Sequence, residues 1–163
     1  MKDLRELQAI IQTAVDELSY PTQPPDLYEP ISYILSIGGK RMRPALLLMA
    51  CDLFGGDVNK AVKAALAIEV FHNFTLMHDD IMDKAPLRRG RTTVHERWNP
   101  NVAILSGDVM LIEGYKLMMN VENHLLPRYW IFLIIRRLAC ARASKLIWSL
   151  NSAKMFPLTS ILT

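Results

Sequence analysis

The chain has 163 residues, 51% of them apolar, with two cysteines and a formal net charge of +3. That suffices for one ordinary domain with a packed core. It provides too few cysteines for a disulfide framework, so a reducing, cytoplasmic setting is expected. No apolar run reaches the eighteen or so residues of a membrane span.

The net charge hides a split. Residues 1–127 hold all sixteen acids and thirteen of the nineteen Lys/Arg, whereas residues 128–163 hold six Lys/Arg and no acid. Two unlike stretches are therefore expected: an N-terminal portion over 1–127 and an aberrant basic tail over 128–163.

The opening Met1-Lys2-Asp3-Leu4-Arg5-Glu6-Leu7 mixes both charge signs with apolar residues at helical spacing. It reads as an amphipathic helix rather than a secretory signal, running from about Leu4 to Ser19. Pro21, Pro24 and Pro25 break it, and a second helix from about Leu27 ends at Gly38-Gly39, a left-handed cap. A third starts near Pro44, a residue favoured in the first helical turn, and ends at Phe54-Gly55-Gly56. The fourth, from Ala61 to Met82, is apolar at helical spacing, and Pro86 stops it. After a loop rich in arginine, Asn99-Pro100 opens a helix to about Val121. The fold class is all-α.

The fourth helix ends in His78-Asp79-Asp80-Ile81-Met82-Asp83. Carboxylates at a helix C-terminus face the negative end of the dipole and repel one another, at roughly 0.3–1 kcal/mol per exposed charge. A bound cation removes that cost. At about 100° per residue, His72, Thr75, Asp79 and Asp83 share one face. Two carboxylates one turn apart can hold Mg²⁺ while leaving positions for water and phosphate oxygens. Two basic segments supply the complement. Gly38-Gly39-Lys40-Arg41-Met42-Arg43-Pro44 sets three cations beside a helix N-terminus, a natural phosphate site. Arg88-Arg89-Gly90-Arg91 offers planar guanidinium donors suited to phosphate oxygens. One cation site and two anion sites together fit a magnesium–diphosphate substrate.

In order and spacing, Gly-Gly-Lys-Arg-Met-Arg-Pro, a helix ending His-Asp-Asp-Ile-Met-Asp, and Arg-Arg-Gly-Arg-Thr-Thr-Val-His resemble the trans-isoprenyl diphosphate synthase (polyprenyl synthetase) family. The resemblance covers about residues 1–127, the N-terminal third to half of a family member. It implies the isoprenoid synthase helical fold and condensation of isopentenyl diphosphate with an allylic diphosphate, by a usually homodimeric enzyme. Nucleic acid is not an implied partner. Lys40, Arg43, His72 and Arg89 match positions that bind isopentenyl diphosphate. Asp79, Asp80 and Asp83 match the first aspartate-rich motif, which holds Mg²⁺, and Arg88 matches a contact to the allylic diphosphate. Asp79, Asp83 and Arg88 are the implied catalytic set. In short-product members a bulky residue four or five positions before the first aspartate closes the pocket. Here those positions are Thr75 and Phe74, and a product of farnesyl to geranylgeranyl length is expected.

The family's second aspartate-rich motif is missing, since the last acid is Glu122. The chain alone is therefore expected to be inactive, with a non-catalytic subunit of a full-length synthase as the alternative. From Arg128 the sequence reads as the product of a shifted frame: Tyr-Trp-Ile, translated one base earlier, forces Leu-Asp. A neighbouring frame over 139–149 can encode Gly-Lys-Gln-Ile-Asp, of the type the family carries next. Trp130, Ile131, Phe132 and Leu133 would then be exposed apolar surface. Read instead as genuine, the basic, aromatic tail suggests membrane association.

Overall fold

The computed structural model describes residues 2–120 and, beyond them, seven exposed helical positions: Ile131, Ile134, Ile135, Leu138, Ala139, Arg142 and Lys145. The chain divides into units of 1–122 and 123–163. Most of the basic tail, including Trp130, Phe132, Leu133 and Cys140, lies outside the described residues. Ile131 is 59% exposed. Among the described residues no helix is long and apolar enough to cross a membrane.

The first unit is helical, with a single two-stranded hairpin. Helix α1 spans Leu4–Asp16, α2 Pro25–Ser36, α3 Met42–Leu53 and α4 Val58–Asp83; strands β1 (Leu87–Arg88) and β2 (Arg91–Thr92) are followed by α5, Val94–Arg97, and α6, Pro100–Met118. The helix starts are locally encoded. Asp3 and Glu6 close a capping box at α1, Asp57 accepts from the Asn59 amide at α4, and Asn99 accepts from the Val102 amide at α6. Each satisfies amides that the first helical turn leaves unpaired. Pro25 and Pro100 occupy first-turn positions, where the missing N–H is harmless.

α4 is the central element, packed chiefly against α6 and α3. Its buried residues include Ala64, Ala65, Leu66, Val70, Phe74 and Met77, which leave little of its middle to solvent. Leu7 and Ile11 of α1, Leu48 of α3 and Met110 of α6 complete the core at 0% exposure. Each such side chain contributes about 1.5–3 kcal/mol by leaving water. α4 and α6 approach closely because α6 carries glycines where they meet. A Cβ on Gly107 would enter the His78 ring, and one on Gly114 would reach the Ala67 carbonyl.

The hairpin and α5 are additions to the expected elements, lying within what the sequence presented as an arginine loop. Arg89 and Gly90 at its turn have φ of 52° and 77°, matching a tight two-residue turn with both central residues left-handed. Two-residue strands carry too little alternation to be read from sequence.

Candidate functional site

The last turns of α4 carry His72, Thr75, Asp79 and Asp83. Thr75 is half-buried and donates its hydroxyl to the His72 carbonyl. Phe74, on another side of the helix, is 3% exposed and packs edge-to-face against Phe71 and His78. Asp79 is half-buried and Asp83 exposed. Burial, and then the like charge of Asp83, push the Asp79 carboxyl above its ordinary value, with Arg88 opposing. α4 ends at Lys84 in a left-handed conformation, φ 50°, so the chain turns back and the hairpin follows alongside.

Asp80 behaves differently from its two neighbours. Its carboxylate is 4% exposed and accepts two hydrogen bonds from Arg88, from Nε and Nη2, each at 2.8 Å. The sequence reading grouped Asp80 with Asp79 and Asp83 as metal ligands. The structure instead commits both of its oxygens to a guanidinium, because one residue along a helix rotates the side chain by about 100°. The Asp80 hydrogen bonds in turn raise the Arg88 guanidinium further above its ordinary value. Among the described residues no group of three or more His, Cys, Asp or Glu side chains is arranged to hold a metal. Asp79 and Asp83 remain as a pair. Two carboxylates still suit Mg²⁺, which keeps several waters and takes further oxygens from phosphate.

The hairpin and the short α5 that follows it are anchored at three points. Thr93 donates its hydroxyl to the Ala85 carbonyl, Tyr33 of α2 donates to the Thr92 carbonyl at 2.7 Å, and the guanidinium of Arg97 lies over the Tyr33 and Trp98 rings. The hairpin tip carries Arg89, whose guanidinium rests against Gly39 where any side chain would collide with it. The two basic segments, fifty residues apart in sequence, thus meet.

On the glycine-rich loop, Lys40 and Arg43 are exposed and Arg41 is buried. Arg43 Nη1 lies 3.1 Å from His72 Nε2. Burial and then the positive charge of Arg43 hold His72 below its ordinary value; Glu69 opposes them, and Arg89 and Arg88 add smaller effects in the same direction as Arg43. The ring is therefore biased toward its neutral form, able to accept from Arg43. Sequence reasoning treated Lys40, Arg41 and Arg43 as one cationic set preceding the helix. α3 in fact begins at Met42, so Arg43 stands in its first turn, and Arg41 points inward to Glu69. Glu69 was missed. The available signal was that it is the one Asp, Glu, Lys or Arg between Lys63 and Asp79.

A model of the family described as "Polyprenyl synthetase" matches residues 24–136. The chain belongs to the polyprenyl synthetase family. The matched region of this polyprenyl synthetase chain runs nine residues beyond 127, where the sequence reading ended the resemblance. Its relatives include a geranylgeranyl diphosphate synthase of Methanosarcina mazei, 40% identical over 121 residues, covering 74% of this chain and 37% of that protein. Another, from Saccharolobus solfataricus, is 48% identical over 92 residues, covering 56% and 28%. A solved geranylgeranyl pyrophosphate synthetase from Pyrococcus horikoshii superposes with a TM-score of 0.78 at 32% identity, over 90% of this chain and 47% of that one. The all-α fold is that of these synthases. The chain spans 37% and 28% of the length of the two curated relatives.

Proposed function

We propose that residues 38–91 form one wall of a prenyltransferase site, with an isopentenyl diphosphate subsite at Lys40, Arg43, His72 and Arg89 and an allylic diphosphate subsite at Asp79, Asp83 and Arg88. The observation that carries this is an imbalance of charge. Lys40 and Arg89 have no anionic partner among the described residues and Arg43 meets only His72, while Asp79 and Asp83 repel each other across one turn. Each group is left as an isolated anion or cation would want it.

The donor set fits Mg²⁺ at Asp79 and Asp83, with the substrate diphosphate completing its shell. Bound there, the ion would supply positive charge against the negative charge that develops on the departing diphosphate. Arg88 adds a guanidinium whose orientation Asp80 fixes, so its donors need no reorganisation as that charge grows. Asp80 is thereby a positioning residue. Arg43 and His72 share one hydrogen bond, which holds the guanidinium against α4 at the subsite proposed for the second diphosphate. The reaction supported is condensation of isopentenyl diphosphate with an allylic diphosphate. The names of the relatives and the small Thr75 beside Asp79 favour a geranylgeranyl-length product. A homodimer is the proposed assembly, and the cytoplasm the proposed setting. Leu105 and Ile112 on α6 and Met119 at its C-cap, exposed at intervals of seven, support pairing with a second copy.

Isothermal titration of the 163-residue chain tests the subsites directly. Isopentenyl diphosphate is expected to bind without metal, and Lys40→Ala with Arg43→Ala to remove that binding. A non-hydrolysable allylic thiodiphosphate is expected to bind only with Mg²⁺, and Asp79→Asn to abolish that binding. Binding unaffected by these substitutions refutes the assignment.

A further inference from the structure

Arg41 is the residue of the basic loop that the proposed chemistry does not use. It is 4% exposed, adopts φ 46°, and starts α3 without any side-chain cap of its own. Its guanidinium is fully engaged inside the protein. Nη1 donates to Glu69 Oε1, Nη2 to the Leu35 carbonyl at 2.8 Å, and Nε to Gln12 Oε1 at 3.2 Å. Glu69 is 5% exposed and accepts a second bond from Asn73 Nδ2 at 3.0 Å. These contacts bring α1, α2 and α4 onto a single loop residue.

Stability alone gives little reason for this arrangement. Withdrawing a guanidinium and a carboxylate from water costs about what their attraction returns, and shape-matched apolar pairs commonly do as well or better. A left-handed arginine adds a backbone cost, since its Cβ crowds the following carbonyl. Strained residues of this kind persist where the surroundings over-determine them, and they gather at ligand sites. Packing does not hold the loop on its α1 side, where a cleft of about 400 Å³ lies between Gln8, Gln12 and residues 39–41. Hydrogen bonds do so instead: Gln8 Nε2 donates to the Lys40 carbonyl there.

We propose that the buried Arg41–Glu69 pair positions the diphosphate-binding loop, turning residue 41 inward so that Lys40 and Arg43 on either side stand outward, Arg43 against His72. Glu69 lies three residues before His72 on α4. The loop is thus tied to α4 twice, once within the protein through Arg41 and once at the surface through Arg43. The inference rests on reading this loop as a diphosphate subsite, but the conformation it predicts is measurable without ligand.

The test compares the full chain with Arg41→Met/Glu69→Leu, which removes both charges and leaves none stranded, and with Glu69→Gln, which keeps an oxygen acceptor of the same shape. Amide exchange followed by mass spectrometry is expected to rise at least about tenfold over residues 38–45 in the double variant, while residues 64–77 of α4 keep their protection. Glu69→Gln is expected to fall between. Affinity for isopentenyl diphosphate should drop about tenfold in the double variant. Unchanged loop exchange in whichever variant folds overturns the positioning role, whether or not any ligand binds. Absence of ligand binding by the unaltered chain counts against the subsite alone, because loop exchange still decides the inference.

Discussion

Replacing Arg88 by methionine isolates what the hairpin contributes to the end of α4. Asp80 would lose both of its 2.8 Å hydrogen bonds while its carboxylate stays 4% exposed. It would sit on the last turn of a helix, facing the negative end of the dipole, between Asp79 and Asp83. Removing one partner of a buried pair costs about 3–5 kcal/mol, most of it from the stranded charge. Arg88 is 25% exposed, so water reaches part of the pair and the lower figure applies, about 3 kcal/mol. At roughly 2–4 °C per kcal/mol this is a fall of about 6–12 °C in the thermal midpoint. Asp80→Leu combined with Arg88→Met removes the stranded carboxylate and should recover most of the loss. Urea unfolding of the unaltered chain, Arg88→Met, Asp80→Leu and the double variant, followed by circular dichroism, yields the coupling energy of the pair directly. A coupling below about 1 kcal/mol, the size of an exposed surface pair, would show that Asp80 is solvated, refuting its assignment as the internal anchor of Arg88.

Gly39→Ala places a side chain at φ 155° and against the Arg89 guanidinium. A loss of about 1–3 kcal/mol from the backbone, with weaker isopentenyl diphosphate binding as Arg89 is displaced, is expected by denaturation and calorimetry. Gly107→Ala supplies a diagnostic sign. Helix propensity alone predicts a gain of about 1 kcal/mol, whereas collision with the His78 ring and its contact to the Ile104 carbonyl predicts a loss of about 1–3 kcal/mol; a raised thermal midpoint would contradict the close α4–α6 packing. His72 gives a pH dependence. Its ring is held below 6.5 in the folded chain, so below that pH the unfolded chain binds more protons than the folded one. Stability from this residue is full above 6.5 and declines as pH falls through the folded value. Urea midpoints at several pH values should lose this slope in His72→Gln.

The helices were legible because each boundary carries its own chemistry. Asp57 and Asn99 cap α4 and α6 through their own side chains, and Pro25 and Pro100 stand in first turns. The helical wheel also placed His72, Thr75, Asp79 and Asp83 together, a local relation fixed by 3.6 residues per turn. The hairpin at 87–92 was not legible, because its register depends on distant groups, Tyr33 under Thr92 and Thr93 on Ala85. The different fates of adjacent charges were hidden for the same reason. Asp80 differs from Asp79, and Arg41 from Lys40, only in which way the backbone turns each of them and what stands there.

That difference decides how the charges of the site should be counted. The three motifs present three acids, Asp79, Asp80 and Asp83, and six Lys/Arg, Lys40, Arg41, Arg43, Arg88, Arg89 and Arg91, the last of which lies over the Tyr33 ring. Folding cancels two of the bases, Arg41 against Glu69 and Arg88 against Asp80. Those pairs lie at least half within the protein, where an unpaired charge would cost most. What is left uncancelled is a pair of carboxylates on α4 and three cations, Lys40, Arg43 and Arg89, all of them reachable from water. A site made only of exposed charges would have no means of fixing where they point. One made only of buried pairs would have nothing left with which to bind. The alternation of buried pair and exposed charge along residues 40–43 and again along 79–89 supplies both, since each outward group is one to three residues from an inward anchor. Substitutions at the anchors should accordingly alter affinity through loop and hairpin geometry, and substitutions at the outward groups should alter affinity with little change in stability. Measuring both quantities on the same variants separates the two classes.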